Sequence, residues 1–315
     1  MSKIAFIYPG QGAQKAGMGA DFYENSEIAR YIFDQAGEEL DLDMKELCFE
    51  ENDRLDLTEY TQAAMVTTCL AMTRVAESKG LKADITAGLS LGEYPAIAAA
   101  GGMNDMDAIR LVRKRGILMQ NTVPAGEGAM CAVISMAAEE IEKVIEPIAD
   151  VSVANYNCPG QIVITGKTDA VEEAAAKLKE AGARRAIMLN VSGPFHSQML
   201  VPAGEKLAEE LEQTRFHELR IPYVTNVTAE KVTDIRETPG LLTTQISSPV
   251  RWMQSMERMI ADGVDTFVEI GPGKTLEGFL RKIDRSVKVF HISQWEDVDK
   301  VCTELADSGK MMEEA

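Results

Sequence analysis

Ser90 stands between glycines in Gly88-Leu89-Ser90-Leu91-Gly92, a G-x-S-x-G arrangement that lets a chain turn sharply and hold a serine oxygen at the tip of a strand. The chemistry this suits is nucleophilic catalysis through an activated hydroxyl. By itself the pattern is weak, because a glycine-lined turn with an incidental N-cap serine spells the same letters. Its flanks strengthen it. Asp84–Ala87 reads as a strand, an alanine-rich helix runs on to Gly101-Gly102, and a helix N-terminus favours negative charge beside the hydroxyl.

A serine hydroxyl is a poor nucleophile without a base, and the chain has three histidines. His217, in Thr214-Arg-Phe-His-Glu-Leu, reads as a solvated helix end or loop, and His291 reads as part of a strand. His196 differs, because Ser192-Gly-Pro-Phe-His-Ser-Gln is an uncharged turn between two structural units. A base there competes with a second reading, a buried structural histidine. No Asp or Glu stands out as the group that would hold the other ring nitrogen. Arg115 precedes Gly116 and the apolar run Ile117-Leu-Met119, which places it at a buried helix end, costly unless paired with a fixed carboxylate; a solvated helix face is the alternative. The glycine-rich turns Pro9–Gln14 and Gly271–Lys274 lack both the Walker and the dinucleotide spacing, so no nucleotide site is expected.

Those residues require a scaffold of strands ending in turns. Lys3–Tyr8 is an apolar run closed by Pro9-Gly10, a buried strand feeding a glycine turn. Helical spacing continues from Met18 to about Lys79, with breaks near Leu40–Asp43 and Asn52–Thr58. Between residues 128 and 191, Ala129–Ile134, Ala138–Ile148, Val151–Ala154, Gln161–Thr165, Asp169–Ala181 and Arg184–Leu189 alternate as β, α, β, β, α, β. That is the order of a ferredoxin-like domain. Afterwards the larger pattern resumes, with a helix at Gly204–Gln213, a strand at Pro222–Asn226, helices at Pro239–Ile246 and Trp252–Asp262, strands at Thr266–Ile270 and Val287–Ile292, and a terminal helix. The fold class expected is α/β: a large hydrolase-like domain with a central parallel sheet, residues 1–127 and 192–315, with a small ferredoxin-like domain inserted over 128–191. A cleft between the two is the default ligand site.

Composition narrows the partners. The 315 residues are 45% hydrophobic and 26% charged, an ordinary globular balance. Thirty-two basic against fifty acidic side chains leave a net charge of -18, which disfavours nucleic acid and anionic membranes. The longest uncharged stretch, Ala186–Gly204, is broken by Asn190, Gly193, Pro194 and His196, so no membrane span is expected. Nor is a secretion leader, since only Ile4–Tyr8 follows Lys3 before Pro9. Cys48, Cys69, Cys131, Cys158 and Cys302 show no paired metal or redox spacing and are read as reduced thiols of a cytoplasmic protein.

Taken together the chain resembles the malonyl-CoA:acyl carrier protein transacylases of type II fatty acid synthesis and the related acyltransferase domains of polyketide synthases. The matching pieces are Pro9-Gly-Gln-Gly-Ala-Gln14, Gly88-Leu-Ser-Leu-Gly-Glu93, Arg115-Gly-Ile-Leu-Met-Gln120, Asn155-Tyr-Asn-Cys-Pro-Gly-Gln161, Pro194-Phe-His-Ser197, Gln245-Ile-Ser-Ser-Pro-Val250 and Glu269-Ile-Gly-Pro-Gly-Lys274. The resemblance implies Ser90 as acylated nucleophile and His196 as its base, with Gln245 offering a carbonyl to the imidazole in place of an acid. It implies an oxyanion hole at the N–H groups of Gln11 and Leu91, and Arg115 as the seat of the malonyl carboxylate, a planar anion that suits a guanidinium. Members usually carry histidine where this chain has Leu89, while Phe195 before His196 matches the malonyl-selective rather than the methylmalonyl-selective relatives.

The activity this resemblance implies is ping-pong malonyl transfer from malonyl-CoA to the pantetheine thiol of acyl carrier protein, with the thioesters as substrates and no cofactor or metal. A monomer is expected. Acyl carrier proteins of this family are acidic, so Arg184 and Arg185, or Arg110, Arg113 and Lys114, are candidate docking cations. A serine hydrolase is the rival enzyme, disfavoured because α/β-hydrolases place their histidine near the C-terminus, after the acid. A silent acyl-CoA or carrier-protein binding module is the rival of another class.

Overall fold

The computed structural model describes residues 2–307. Its strands are β1 (Lys3–Tyr8), β2 (Ile85–Gly88), β3 (Gly128–Ile134), β4 (Val151–Cys158), β5 (Gln161–Lys167), β6 (Arg185–Met188), β7 (Tyr223–Val224), β8 (Lys231–Val232), β9 (Val264–Ile270) and β10 (Lys288–Ile292). Six of them form one sheet in the order β10-β9-β1-β2-β7-β8, parallel except for the β7–β8 pair. The other four form a separate antiparallel sheet in the order β4-β5-β3-β6.

The apolar run of β1 is explained by its place at the centre of the larger sheet. Ile4, Phe6 and Tyr8 pack into the cluster on one face, while Ala5 and Ile7 pack into the cluster on the other. A strand buried on both sides reads as continuous rather than alternating hydrophobicity. At their C-terminal ends β1, β2 and β9 run into Pro9–Gln14, Gly88–Gly92 and Gly271–Gly273, so three glycine-rich turns share the edge where open α/β sheets hold their ligands.

The antiparallel sheet covers that edge from one side. Ile141, Ile145, Val171 and Leu178 of its two helices, Ala138–Ile145 and Thr168–Glu180, fill the cluster behind it. Met130, Ala132 and Val163 turn the other way and join the main core. Two backbone hydrogen bonds stitch β4 to the loop beyond Gln245: Tyr156 N–H donates to Val250 O at 2.9 Å and Val250 N–H to Ala154 O at 2.7 Å.

Several boundaries differ from expectation. β4 runs to Cys158 rather than Ala154, because the asparagine-rich end still pairs with β5 before the turn at Gly160, where φ is 73°. The helix expected over Ala138–Ile148 stops at Ile145, and the one expected from Gly204 begins at Val201. Only Tyr223 and Val224 of Pro222–Asn226 are strand, since Asn226 leaves the ladder to hold the backbone of Ser90. β8, two residues long, carries no periodicity to read. Four cysteines are buried and Cys302 is half-buried, and none is disulfide-bonded among the described residues. No helix among the described residues is long and apolar enough to cross a membrane.

Candidate active site

The turn after β2 is possible only with its two glycines. A Cβ on Gly88 would lie 1.8 Å from the Gly92 oxygen, and one on Gly92 would lie 2.2 Å from the Tyr8 oxygen. Ser90 itself has φ of 53°, the left-handed region that costs a non-glycine residue about 1–3 kcal/mol unless its surroundings hold it there. They do so from both sides. Ser90 N–H donates to Asn226 Oδ1 at 2.6 Å, and Ser90 O accepts from Gln245 Nε2 at 3.0 Å.

His196 reaches the same serine from 106 positions further along the chain. Its turn, also left-handed at φ 61°, is braced by Ser197 Oγ donating to Pro194 O at 2.7 Å. The ring Nε2 stands 2.7 Å from Ser90 Oγ. Nδ1 faces two backbone carbonyls, Gln245 O at 2.9 Å and Ser248 O at 3.1 Å. Carbonyls only accept, so Nδ1 carries the proton and Nε2 is left to accept from the Ser90 hydroxyl. Burial first, and the nearby Arg115 charge second, lower the imidazole pKa to about 4 against the support of the two carbonyls. The ring is therefore neutral at physiological pH, the form that can take a proton.

Arg115 lies on the helix Asp105–Thr122, beside Gly116, where a Cβ would meet Thr58 O at 2.8 Å. That close helix approach sets the guanidinium, 1% exposed, against Gln62. The expected carboxylate partner is absent: no ion pair to Arg115 occurs among the described residues. Instead NH1 donates to Gln62 Oε1 at 2.9 Å, NH2 donates to Gln245 Oε1 at 3.1 Å and to Ser90 Oγ at 3.2 Å, and the group sits 5.3 Å from the Tyr94 ring centroid. Neutral dipoles thus hold the cation, and burial lowers its pKa. A cation held this way stays ready for an anion.

These groups share a cleft of about 590 Å³ with Gln11, Leu91, Phe195 and, from the antiparallel sheet, Met130 and Val163. Gln11 is anchored by its side chain, Nε2 donating to Thr58 Oγ1 at 3.0 Å. Leu89 lines the cleft too and lies against Gly10. No cluster of three or more His, Cys, Asp or Glu side chains placed to hold a metal is found among the described residues. An activated hydroxyl, a neutral base and a buried cation in one cleft can exchange an acyl group that carries a negative charge.

Residues 5–298 match the acyl transferase domain family. The chain belongs to that family. It is 45% identical to the malonyl CoA-acyl carrier protein transacylase of Bacillus subtilis over 95% of this chain and 96% of that one. Against the enzyme of the same name from Staphylococcus aureus MRSA252 the identity is 41% over 95% and 98%. Among solved structures, a malonyl CoA-acyl carrier protein transacylase from Clostridium perfringens superposes with a TM-score of 0.94 at 42% identity, covering 98% of both chains. A type II PKS acyl-carrier protein in complex with its malonyl-transacylase gives 0.93 at 36% identity, covering 96% and 100%.

Within this acyl transferase the structure brings together all six residues singled out by sequence: Ser90, His196, Gln245, Arg115, Gln11 and Leu91. His291 stays apart on β10, 3.9 Å from Glu277. His217 is half-buried rather than solvated, with Nε2 buried and unpartnered, because its backbone is pinned to Gly102 O at 2.9 Å. The candidate docking cations also divide. Arg110 pairs with Glu39 and Asp107, Arg113 pairs with Glu59 and stacks on Tyr60, and Lys114 pairs with Glu210, so these three are neutralised. Arg184 and Arg185 are exposed and form no ion pair among the described residues. Sequence reasoning missed Glu93, Asn226 and Gln62, polar residues at full burial.

Proposed function

We propose that this acyl transferase moves a malonyl group from malonyl-CoA to the pantetheine thiol of an acyl carrier protein through a malonyl-Ser90 intermediate, supplying fatty acid synthesis. One observation carries the reading: the oxygen of Ser90 lies 2.7 Å from His196 Nε2 and 3.2 Å from the Arg115 guanidinium, so nucleophile, base and anion seat converge. Ser90 Oγ attacks the thioester carbonyl as its proton passes to His196 Nε2. The C–S bond then breaks and the coenzyme sulfur leaves with that proton. In the second half the carrier thiol gives its proton to Nε2 and attacks the acyl-serine, and Ser90 regains its proton.

The N–H groups of Gln11 and Leu91 take the oxyanion, each such donor contributing about 3–4 kcal/mol in comparable enzymes. Arg115 grips the malonyl carboxylate, and Phe195 narrows the cleft toward malonyl over methylmalonyl. The imidazole is oriented by the Gln245 carbonyl, which supports the reading of a transferase without an acid. The thioesters are substrates and no cofactor takes part. We further read residues 128–191 as a ferredoxin-like insert, supported by the element order and the β4-β5-β3-β6 sheet, in a monomeric cytoplasmic enzyme. Its large domain is residues 1–127 and 192–315.

Intact-mass spectrometry after mixing with malonyl-CoA tests this. A stable malonyl adduct, lost in Ser90→Ala, is expected. Free malonate without an adduct would make the protein a hydrolase, and neither product a binding module.

A further inference from the structure

Glu93 follows the nucleophile turn at the start of the helix Glu93–Ala99 and is 0% exposed, with no cation in direct contact. Its Oε2 accepts from Gln245 Nε2 at 2.7 Å and from the Asn226 backbone N–H at 3.1 Å, the Thr225 hydroxyl lies near the carboxyl, and Oε1 is buried with no close hydrogen-bond partner among the described residues. A buried carboxyl arranged in this way is expensive unless those bonds matter. Both partners hold the reacting groups. Asn226 Oδ1 takes the Ser90 N–H at 2.6 Å, and its Nδ2 donates to Gly88 O at 2.7 Å, spanning the turn. Gln245 gives its Nε2 to Ser90 O, its Oε1 to the Arg115 guanidinium and its backbone carbonyl to His196 Nδ1.

The Gln245 amide therefore lies between a cation and a carboxyl, oxygen toward the first and NH2 toward the second. Turned over, it would set NH2 against guanidinium and oxygen against Glu93, so Glu93 and Arg115 together decide which way it faces. Arg115 favours the same orientation from the oxygen side, and the Ser90 oxygen shares the NH2 with Glu93, whose contact at 2.7 Å is the shorter of the two.

We propose that Glu93 is a positioning residue for acyl transfer: its carboxyl holds Gln245 and Asn226, and through them sets the backbone of Ser90, the carbonyl behind His196 and the amide that faces Arg115. The inference rests on the malonyl-transfer reading of this site. Glu93 touches neither the hydroxyl nor the imidazole, and acts on the reaction only through alignment, where a displacement of about 1 Å can slow chemistry about 100-fold. Burial pushes its carboxyl pKa up to about 7.

Two substitutions separate hydrogen bonding from charge. In Glu93→Gln one amide oxygen accepts both N–H bonds from the position of Oε2, and the NH2 occupies that of the unpartnered Oε1. Glu93→Asp keeps the charge but withdraws the carboxylate by about 1.5 Å. Single-turnover loading from malonyl-CoA is followed by intact mass, as a rate per loadable site, with the thermal midpoint measured alongside. Glu93→Asp is expected to load about 100-fold more slowly at saturating malonyl-CoA, with half-saturation changed less than about threefold, and Glu93→Gln to stay within about threefold of the wild type.

Loading of Glu93→Asp at the wild-type rate per site, with only stoichiometry or thermal midpoint reduced, would mean a purely structural role and overturn the proposal. So would a Glu93→Gln variant slowed about 100-fold, which would assign the effect to charge, and that result overturns the proposal even should Glu93→Asp not fold. A wild-type protein that never loads would instead refute malonyl transfer itself, a distinct result.

Discussion

At the scale of single residues, the protonation of His196 fixes a pH signature. Its pKa is lowered, so the imidazole is neutral, and competent as a base, at every pH above about 4. The expected kcat/KM for malonyl-CoA loading holds level down to about pH 5 and falls below it, whereas an unperturbed imidazole would begin to fail near 6.5. A profile bending near 6.5 would show that the ring is solvated in the working enzyme. The same residue contributes stability that is present above the unfolded value of 6.5 and is lost as pH falls through about 4. Arg115 carries a second prediction. Arg115→Ala should lower kcat/KM for malonyl-CoA about 100- to 1,000-fold, the effect of roughly 3–4 kcal/mol from an unpaired carboxylate, and spare acetyl-CoA. Equal losses on both thioesters would remove Arg115 as the anion seat.

At the scale of elements, the glycines of the nucleophile turn differ from those elsewhere. Gly88→Ala forces a Cβ to 1.8 Å from the Gly92 oxygen and should cost at least about 4 kcal/mol or prevent folding, whereas Gly278, with open space around it in the helix Thr275–Ile283, should gain about 0.5–1 kcal/mol as alanine. Urea midpoints of the two variants check both signs. The same contrast shows what a sequence displays. β1 and the Ser90 turn were legible because burial on both faces and steric exclusion act on residue type directly. His196 was legible because an uncharged turn holding one imidazole is unusual in an acidic chain. Glu93, Asn226 and Gln62 were not, since each is an ordinary polar residue whose burial is decided by elements more than a hundred positions away or by helix packing. The acceptor for His196 was legible only through resemblance, because it is a backbone carbonyl and every residue type has one.

At the scale of the whole molecule, charge is expected to govern the meeting with the carrier proposed above, which the family resemblance implies to be acidic. With a net charge of -18 and Arg110, Arg113 and Lys114 already neutralised, the exposed pair Arg184 and Arg185 at the start of β6 is the remaining attraction among the cations considered. Ile187 and Met188 of the same strand are 45% and 42% exposed. Reversing Arg184 and Arg185 to glutamate should raise the KM for the carrier about tenfold and leave the coenzyme half-reaction unchanged. An unaltered KM would place docking elsewhere. The stitching of β4 to Val250 reaches further. Because that ladder begins two residues past Ser248, whose carbonyl helps seat the imidazole, the insert cannot swing like a hinged jaw without dragging the base off its serine.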